Sequence, residues 1–258
     1  MVLFDNKELL AKVQEKRKEI EWSKNEKLVF NPFYEDFSIR FCWSSNAIEG
    51  NTLSLDETIS VIEYDEVRSG HTYTEYDEAK KLYKAIKKMI KPYPQSITKD
   101  WISETNGIIM GDDGNYRQNN LYVGTMVEAV YYPPEYTEVA KKMEDFLKQV
   151  NFQSSDPKEV IVNIAEQHIK FERIHPFSDG NGRTGRIILN QQMINHGFLP
   201  LTIEDQSKYR QAFRKYDING DFSMLVYLLC KGELRAMEKI DELSQKLNAS
   251  RIHKRNPV

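Results

Sequence analysis

Between His175 and Arg186 the chain reads HPFSDGNGRTGR, twelve residues that bring together a base, a hard oxygen ligand and two guanidiniums. His175 is the side chain there whose pKa suits general-base work near neutrality. Asp179 offers a carboxylate beside an anion site, and one carboxylate with waters and phosphate oxygens is how Mg²⁺ is usually held. Pro176, Gly180, Asn181 and Gly182 break regular structure. Ile187, Ile188, Met193 and Ile194 then fall on helical stripes that Gly197 stops. A glycine-flanked loop running into a helix exposes backbone N–H groups at the helix's positive end. Arg183 and Arg186 therefore sit in a first turn, where the dipole prefers anions. They are three residues apart on one face. An anion between them removes the misfit, and an oligophosphate is the natural guest because guanidinium binds phosphate oxygens in pairs. Base, metal ligand and anion cradle so close together point to phosphoryl or nucleotidyl transfer.

A second charge is misplaced in the opposite sense. In Ser45-Asn-Ala-Ile-Glu49-Gly50, Glu49 falls in the last turn of a helix, the end that disfavours anions. Each feature alone has an ordinary explanation: a loop-capping histidine, an Asp-Gly-Asn-Gly turn, arginines on a solvated face, a glutamate exposed at small cost. Two misfit cations and one misfit anion in one chain favour function.

These residues need a scaffold, and the periodicity supplies a mostly helical one. Helices are predicted over residues 5–21 and, after a connection at 24–31, from an Asn31-Pro32 start through Phe33, Phe37, Phe41 and Ile48 to a stop at Gly50. Others run from the Ser54–Glu57 capping box to about Val67, over 74–91 with Leu82, Ile86 and Met89 inward, and from Thr98 to about Ile109. Two runs rich in β-formers, 121–124 and 129–132, flank a short turn ahead of Pro133-Pro134 and read as a hairpin. A following helix turns Val139, Met143, Phe146, Leu147 and Val150 inward. The next starts at Asp156-Pro157 and carries Ile161, Ile164, Ala165 and His168 on one side. Two more start at Thr202 or Asp205 and at Asp221, the last burying Phe222, Leu225, Val226 and Leu229 before a frayed tail at 251–258.

The 258 residues suffice for a sizeable core. With 40% hydrophobic and 29% charged residues the composition is that of an ordinary globular protein. A net charge of −3 supplies no basic field for nucleic acid. The lysine-rich KKLYKAIKKMIK reads as a solvated helix face. Cys42 and Cys230 are too few for a disulfide framework, which suits a reduced, cytoplasmic compartment. The polar N-terminal stretch is unlike a signal peptide, and no run reaches the ~20 apolar residues of a membrane span.

The His175–Arg186 stretch resembles the Fic family signature, HxFx[DE]GNGRxxR, at every specified position. The helix order over roughly residues 30–235, with the hairpin upstream, fits the same family. The resemblance implies a mainly α fold, a Fic-fold helical bundle with one β-hairpin flap. It implies an N-terminal helical region with an inhibitory motif at 1–92, a Fic core at 93–235 and a C-terminal helical tail at 236–258. It also implies a protein adenylyltransferase. His175 would deprotonate a Ser, Thr or Tyr hydroxyl of a protein target, which attacks the α-phosphate of ATP as pyrophosphate leaves. Asp179 would hold Mg²⁺. Asn181 and the backbone of Gly180 and Gly182 would cradle the α- and β-phosphates, Arg183 the β-phosphate side and Arg186 the γ-phosphate. Phe177 would anchor the loop in the core.

The hairpin resembles the family's flap, which clamps the target's backbone by strand addition. Val123, Gly124 and Met126 are candidates for its nucleotide- and target-facing side, Val123 and Gly124 toward ATP, beside a TMVEA turn longer than expected of a flap. Tyr209 resembles an aromatic near the adenine, with core packing as the competing reading, and Asn219 is a weaker candidate. Ser45 to Gly50 resembles the inhibitory motif [ST]xxxE[GN], whose glutamate pairs with the second signature arginine and blocks the γ-phosphate. A Glu49–Arg186 pair would resolve both misplacements, with Ser45 positioning the helix end. Related proteins often self-associate, so a homodimer fits; membrane and nucleic-acid partners do not. The alternatives are removal of AMP with Glu49 positioning a water, transfer of another nucleotide or of phosphate, and a non-enzymatic nucleotide-gated module, which would not need a complete catalytic set. For a DNA-binding regulator, the roughly two dozen residues after LVYLLCKGEL are too few for an appended winged helix.

Overall fold

In a computed structural model of the chain, residues 6–19, 26–67, 69–124 and 129–255 are described. They form α1 (Lys7–Glu19), α2 (Glu26–Ile48), α3 (Leu55–Tyr64), α4 (Tyr73–Met89), α5 (Lys99–Met110), the strands β1 (Val123–Gly124) and β2 (Ala129–Tyr131), then α6 (Tyr136–Val150), α7 (Pro157–Ile174), α8 (Asn181–Asn195), α9 (Gln206–Asn219) and α10 (Ser223–Arg255). The architecture is the expected mainly α one. β1 and β2 pair antiparallel, Val123 with Tyr131 and Gly124 with Ala129, so one extra residue bulges on β2.

Local chemistry explains most helix starts. The Ser54–Glu57 capping box opens α3, and a second one, Thr72–Glu75, opens α4. Thr98 caps α5, Asp156 with Pro157 behind it caps α7, and Asp205 rather than Thr202 caps α9.

Four expected boundaries move. The helix expected to start at Asn31-Pro32 begins at Glu26 and runs through Pro32. The carbonyl that Pro32 leaves without its helical partner belongs to Leu28, which is 58% exposed, so water can satisfy it. α3 stops at Tyr64, short of Val67, because Asp65 adopts a left-handed conformation. The strands are shorter than the β-rich runs, and α10 continues helical to Arg255 through residues expected to fray.

α8 is the axle of the fold. Its Leu189 and Met193 enter a core shared with α1, α7, α9 and α10. Ile187 and Ile194 enter a second with α2, α3, α4 and α5, and Ile188 a third with α6, α7 and Phe177. A helix enclosed on all sides cannot be amphipathic. Each of these large side chains contributes ~1.5–3 kcal/mol on burial. The N-terminus of α8 is therefore held rigidly, which fixes whatever its first turn presents.

Candidate active site

α7 ends and α8 begins at the loop 175–180. His175 caps α7 in a left-handed conformation (φ 50°, ψ 61°), unusual for a residue with a Cβ, and its N–H donates to the Phe171 carbonyl at 3.0 Å. Its Nδ1 lies 3.3 Å from the Glu172 carbonyl. That oxygen can only accept, so Nδ1 carries the hydrogen and Nε2 keeps a lone pair. Burial depresses the His175 pKa below its usual 6.5, which keeps the ring neutral.

The rest of the loop is laced to the core. The Asn181 side chain accepts from Phe177 N–H at 2.9 Å and donates back to the Phe177 carbonyl at 2.8 Å. Both ends of its amide are thus committed to the loop, and what Asn181 offers outward is its backbone. Asn106 of α5 donates to the Asp179 carbonyl at 2.9 Å. Gly180 takes a left-handed conformation (φ 74°), and a Cβ there would stand 2.8 Å from Met110 Sδ. Asp179 points outward, its side chain 70% exposed and one oxygen taken by Gly180 N–H.

The two arginines are paired unequally. Arg186 is 2% exposed and fully engaged. It donates from Nε to Ser45 Oγ at 2.8 Å, and from Nη2 to the Ser45 carbonyl at 3.0 Å and to Glu49 Oε1 at 2.6 Å. Its Nη1 reaches Tyr209 Oη at 3.4 Å. Tyr209 Oη lies 2.7 Å from His168 Nε2, whose Nδ1 lies 3.2 Å from the Gly185 carbonyl. Since the guanidinium and the carbonyl fix the ends, Tyr209 donates to Nε2 and His168 donates to Gly185. Burial first and Arg186 second push the His168 pKa down to about 3, in keeping with a neutral link. Burial would depress Arg186, but Tyr209, Glu49 and Glu172 hold its pKa above the usual value. Glu172 lies close by, lifted to about 7 by burial.

Arg183 is less well served. It meets Glu78 Oε1 at 3.2 Å, Met110 Sδ at 3.8 Å and Asp179 Oδ1 at 3.6 Å. Its buried Nε has no partner among the described residues. Because α8 begins at Asn181, Arg183 lies in its first turn, while Arg186, expected there too, falls in the second.

Glu49 follows the last residue of α2, whose terminal Ile48 carbonyl accepts from Arg210 at 3.0 Å. A Cβ built on Gly182 would lie 2.3 Å from Glu49 Oε1. The carboxylate thus lies over the N-terminal turn of α8, where a helix-bound anion belongs.

The expected residues Ser45, Glu49, His175, Asp179, Gly180, Asn181, Gly182, Arg183 and Arg186 are therefore gathered at one end of α8. Tyr209 lies 4% exposed behind Arg186, a core position that backs the guanidinium. Asn219 ends α9, its Oδ1 accepting from Asp221 N–H at 3.1 Å. Val123 and Gly124 lie on β1, while Met126 and most of the turn lie outside the described residues. Sequence reading missed Glu78, Asn106, Met110, Glu172 and Arg210, and also Arg117, whose Nε donates to the His175 carbonyl at 2.9 Å. None is locally misplaced, so no signal marked them.

Residues 96–193 match the profile of the Fic/DOC family. The chain carries a Fic/DOC family domain. This Fic domain covers the hairpin, the loop and most of α8, while Glu49 precedes it. Over 212 residues the chain is 30% identical to the protein adenylyltransferase Fic of Nematostella vectensis, covering 79% of this chain and 48% of that protein. The chain thus spans about half the length of that relative. A solved Fic-domain-containing signalling protein from Bacteroides thetaiotaomicron superposes with a TM-score of 0.79 at 23% identity, over 92% of this chain and 97% of the other. A Caenorhabditis elegans Fic-1 fragment superposes with a TM-score of 0.77 at 24% identity, over 95% and 73%. Both likenesses are of fold. Among the described residues, no helix is long and apolar enough to cross a membrane.

Proposed function

We propose that the chain transfers AMP from ATP to a Ser, Thr or Tyr hydroxyl of a protein target, and that Glu49 restrains it in cis by occupying Arg186. The observation that carries this reading is the Glu49 carboxylate, 2.6 Å from Arg186 and over Gly182, where a terminal phosphate would lie. The name of the curated relative, protein adenylyltransferase, supports AMP as the transferred group.

His175 Nε2 takes the proton of the acceptor hydroxyl as its oxygen bonds to the α-phosphorus, and pyrophosphate leaves with the electrons of the broken P–O bond. The free N–H groups of the first turn of α8 bind phosphate oxygens, with the Arg183 guanidinium beside them. Arg186, released from Glu49, neutralises the far end of the triphosphate. Asp179 fits Mg²⁺, since it is an exposed hard oxygen donor with one oxygen uncommitted beside the anion site. Among the described residues no group of three His, Cys, Asp or Glu could cage a metal, so the ion would arrive with the phosphates. Held there by Asp179, Mg²⁺ would supply positive charge against that developing on the phosphate oxygens.

A second reading, hydrolytic removal of AMP from a modified target, draws on Glu49 remaining 37% exposed while paired, so that it could hold a water. Incubating Glu49→Gly with α-labelled and γ-labelled ATP, with and without a lysate, decides the transfer. The α label is expected on protein and the γ label in pyrophosphate. Protein-bound γ label, or no label although ATP binds, would exclude AMP transfer.

A further inference from the structure

Arg117 lies in the segment between α5 and β1, is 3% exposed, and has no ion-pair partner among the described residues. Its donors go to main-chain carbonyls from three places. Nε donates to the His175 carbonyl at 2.9 Å and Nη1 to Asn119 at 3.0 Å, while Nη2 donates to Pro134. Its own N–H donates to the Pro176 carbonyl at 2.9 Å. Arg117 therefore grips both peptide units that follow α7 and both feet of the hairpin, Asn119 ahead of β1 and Pro134 beyond β2. The His175 unit it holds is the strained left-handed one that aims the imidazole. A buried cation without a carboxylate is costly, and burial does depress the Arg117 pKa. A fork of five rigid N–H donors is the side chain able to meet several carbonyls at once. Tyr131 of β2 adds a second tie, donating to the Arg173 carbonyl at 2.9 Å in the last turn of α7.

We infer that Arg117 is a positioning residue that fixes the hairpin to His175, and so sets the distance between the strand that receives an extended polypeptide and the base that deprotonates its hydroxyl. The inference rests on the AMP-transfer reading for its catalytic meaning, but the coupling itself can be measured without turnover.

The test uses the full chain carrying Glu49→Gly, alone and with Arg117→Met or Arg117→Lys. Hydrogen exchange is followed in the hairpin and in α8, and carbethoxylation of His175 by diethyl pyrocarbonate is followed by peptide mass. For Arg117→Met, hairpin exchange and His175 modification are each expected to rise about tenfold or more, with α8 protection unchanged. Incorporation of α label should fall about tenfold in kcat while the Kd for ATP stays within about twofold. Arg117→Lys, which keeps the charge and reaches fewer carbonyls, should fall between the two, and it carries the test if the Met chain does not fold. Unchanged hairpin exchange and His175 reactivity would overturn the inference. So would exchange that rises equally in α8, the mark of a merely structural role. If Glu49→Gly alone transfers no label, the AMP-transfer reading fails, while the exchange and modification arms still decide what Arg117 does.

Discussion

At the scale of the residue, the site consists of charges that are poorly placed locally and well placed in three dimensions. Glu49 and Arg186 lie 137 positions apart and meet at 2.6 Å. His175 adds an imidazole kept neutral by burial. Its pKa is lowered from 6.5, so the ring can accept a proton at neutral pH and loses that capacity only as pH falls through the depressed value. In Glu49→Gly, kcat for AMP transfer should be flat between about pH 7 and 8, with its acid limb below about 6.5. A limb centred above pH 7 would remove His175 as the base. Glu49 itself raises the His175 pKa, so its loss moves the limb further down. The glycines, both arginines and Glu49 were legible in the sequence because each breaks a local electrostatic or conformational rule, and His175 because its usual pKa suits a base near neutrality. Arg117, Glu78 and Asn106 break none. Their partners are carbonyls and charges brought in by the fold, 58, 105 and 73 positions away in the cases of His175, Arg183 and Asp179.

At the scale of the element, α8 is what makes the arrangement rigid, and its contact with α7 is close. A Cβ on Gly185 would lie 2.5 Å from Glu172 Oε1 and 3.0 Å from Phe171 Cδ1. Gly185→Ala should therefore cost about 1–3 kcal/mol through overpacking, despite alanine's better helix propensity. Calorimetry should show a Tm lower by roughly 2–10 °C, and an unchanged or higher Tm would mean that α7 and α8 can separate freely. Helix starts were readable where a side chain marks them, as at Ser54, Thr98 and Asp156. The course of α2 through Pro32 was not, because the lost hydrogen bond falls on an exposed turn. The left-handed Asp65 that stops α3 likewise carries no strong sequence mark.

At the scale of the whole molecule, buried acids away from the site tie stability to pH. Glu233 is fully buried, accepts from Leu199 N–H through both oxygens at 3.2 Å, and is lifted to about 8 by burial. Between its ordinary 4.5 and that value the folded chain holds a proton that the unfolded chain has released. Its stabilising contribution is thus present at low pH and lost as pH rises through this window. Glu233→Gln keeps the shape without the titration, so the Tm of Gln minus wild type should grow by roughly 5 °C or more from pH 5 to 8. A constant difference would place Glu233 in contact with water. The same scale holds the regulatory idea, since Glu49 lies before the span 96–193 and Arg186 lies within it. The direct measurement is the calorimetric affinity for ATP·Mg²⁺ of wild type, Glu49→Gln and Glu49→Gly. Removing one partly buried charge-assisted contact predicts binding at least about tenfold tighter for Glu49→Gly, with Glu49→Gln in between. Equal affinities in all three chains would mean that Glu49 does not occupy the nucleotide's place.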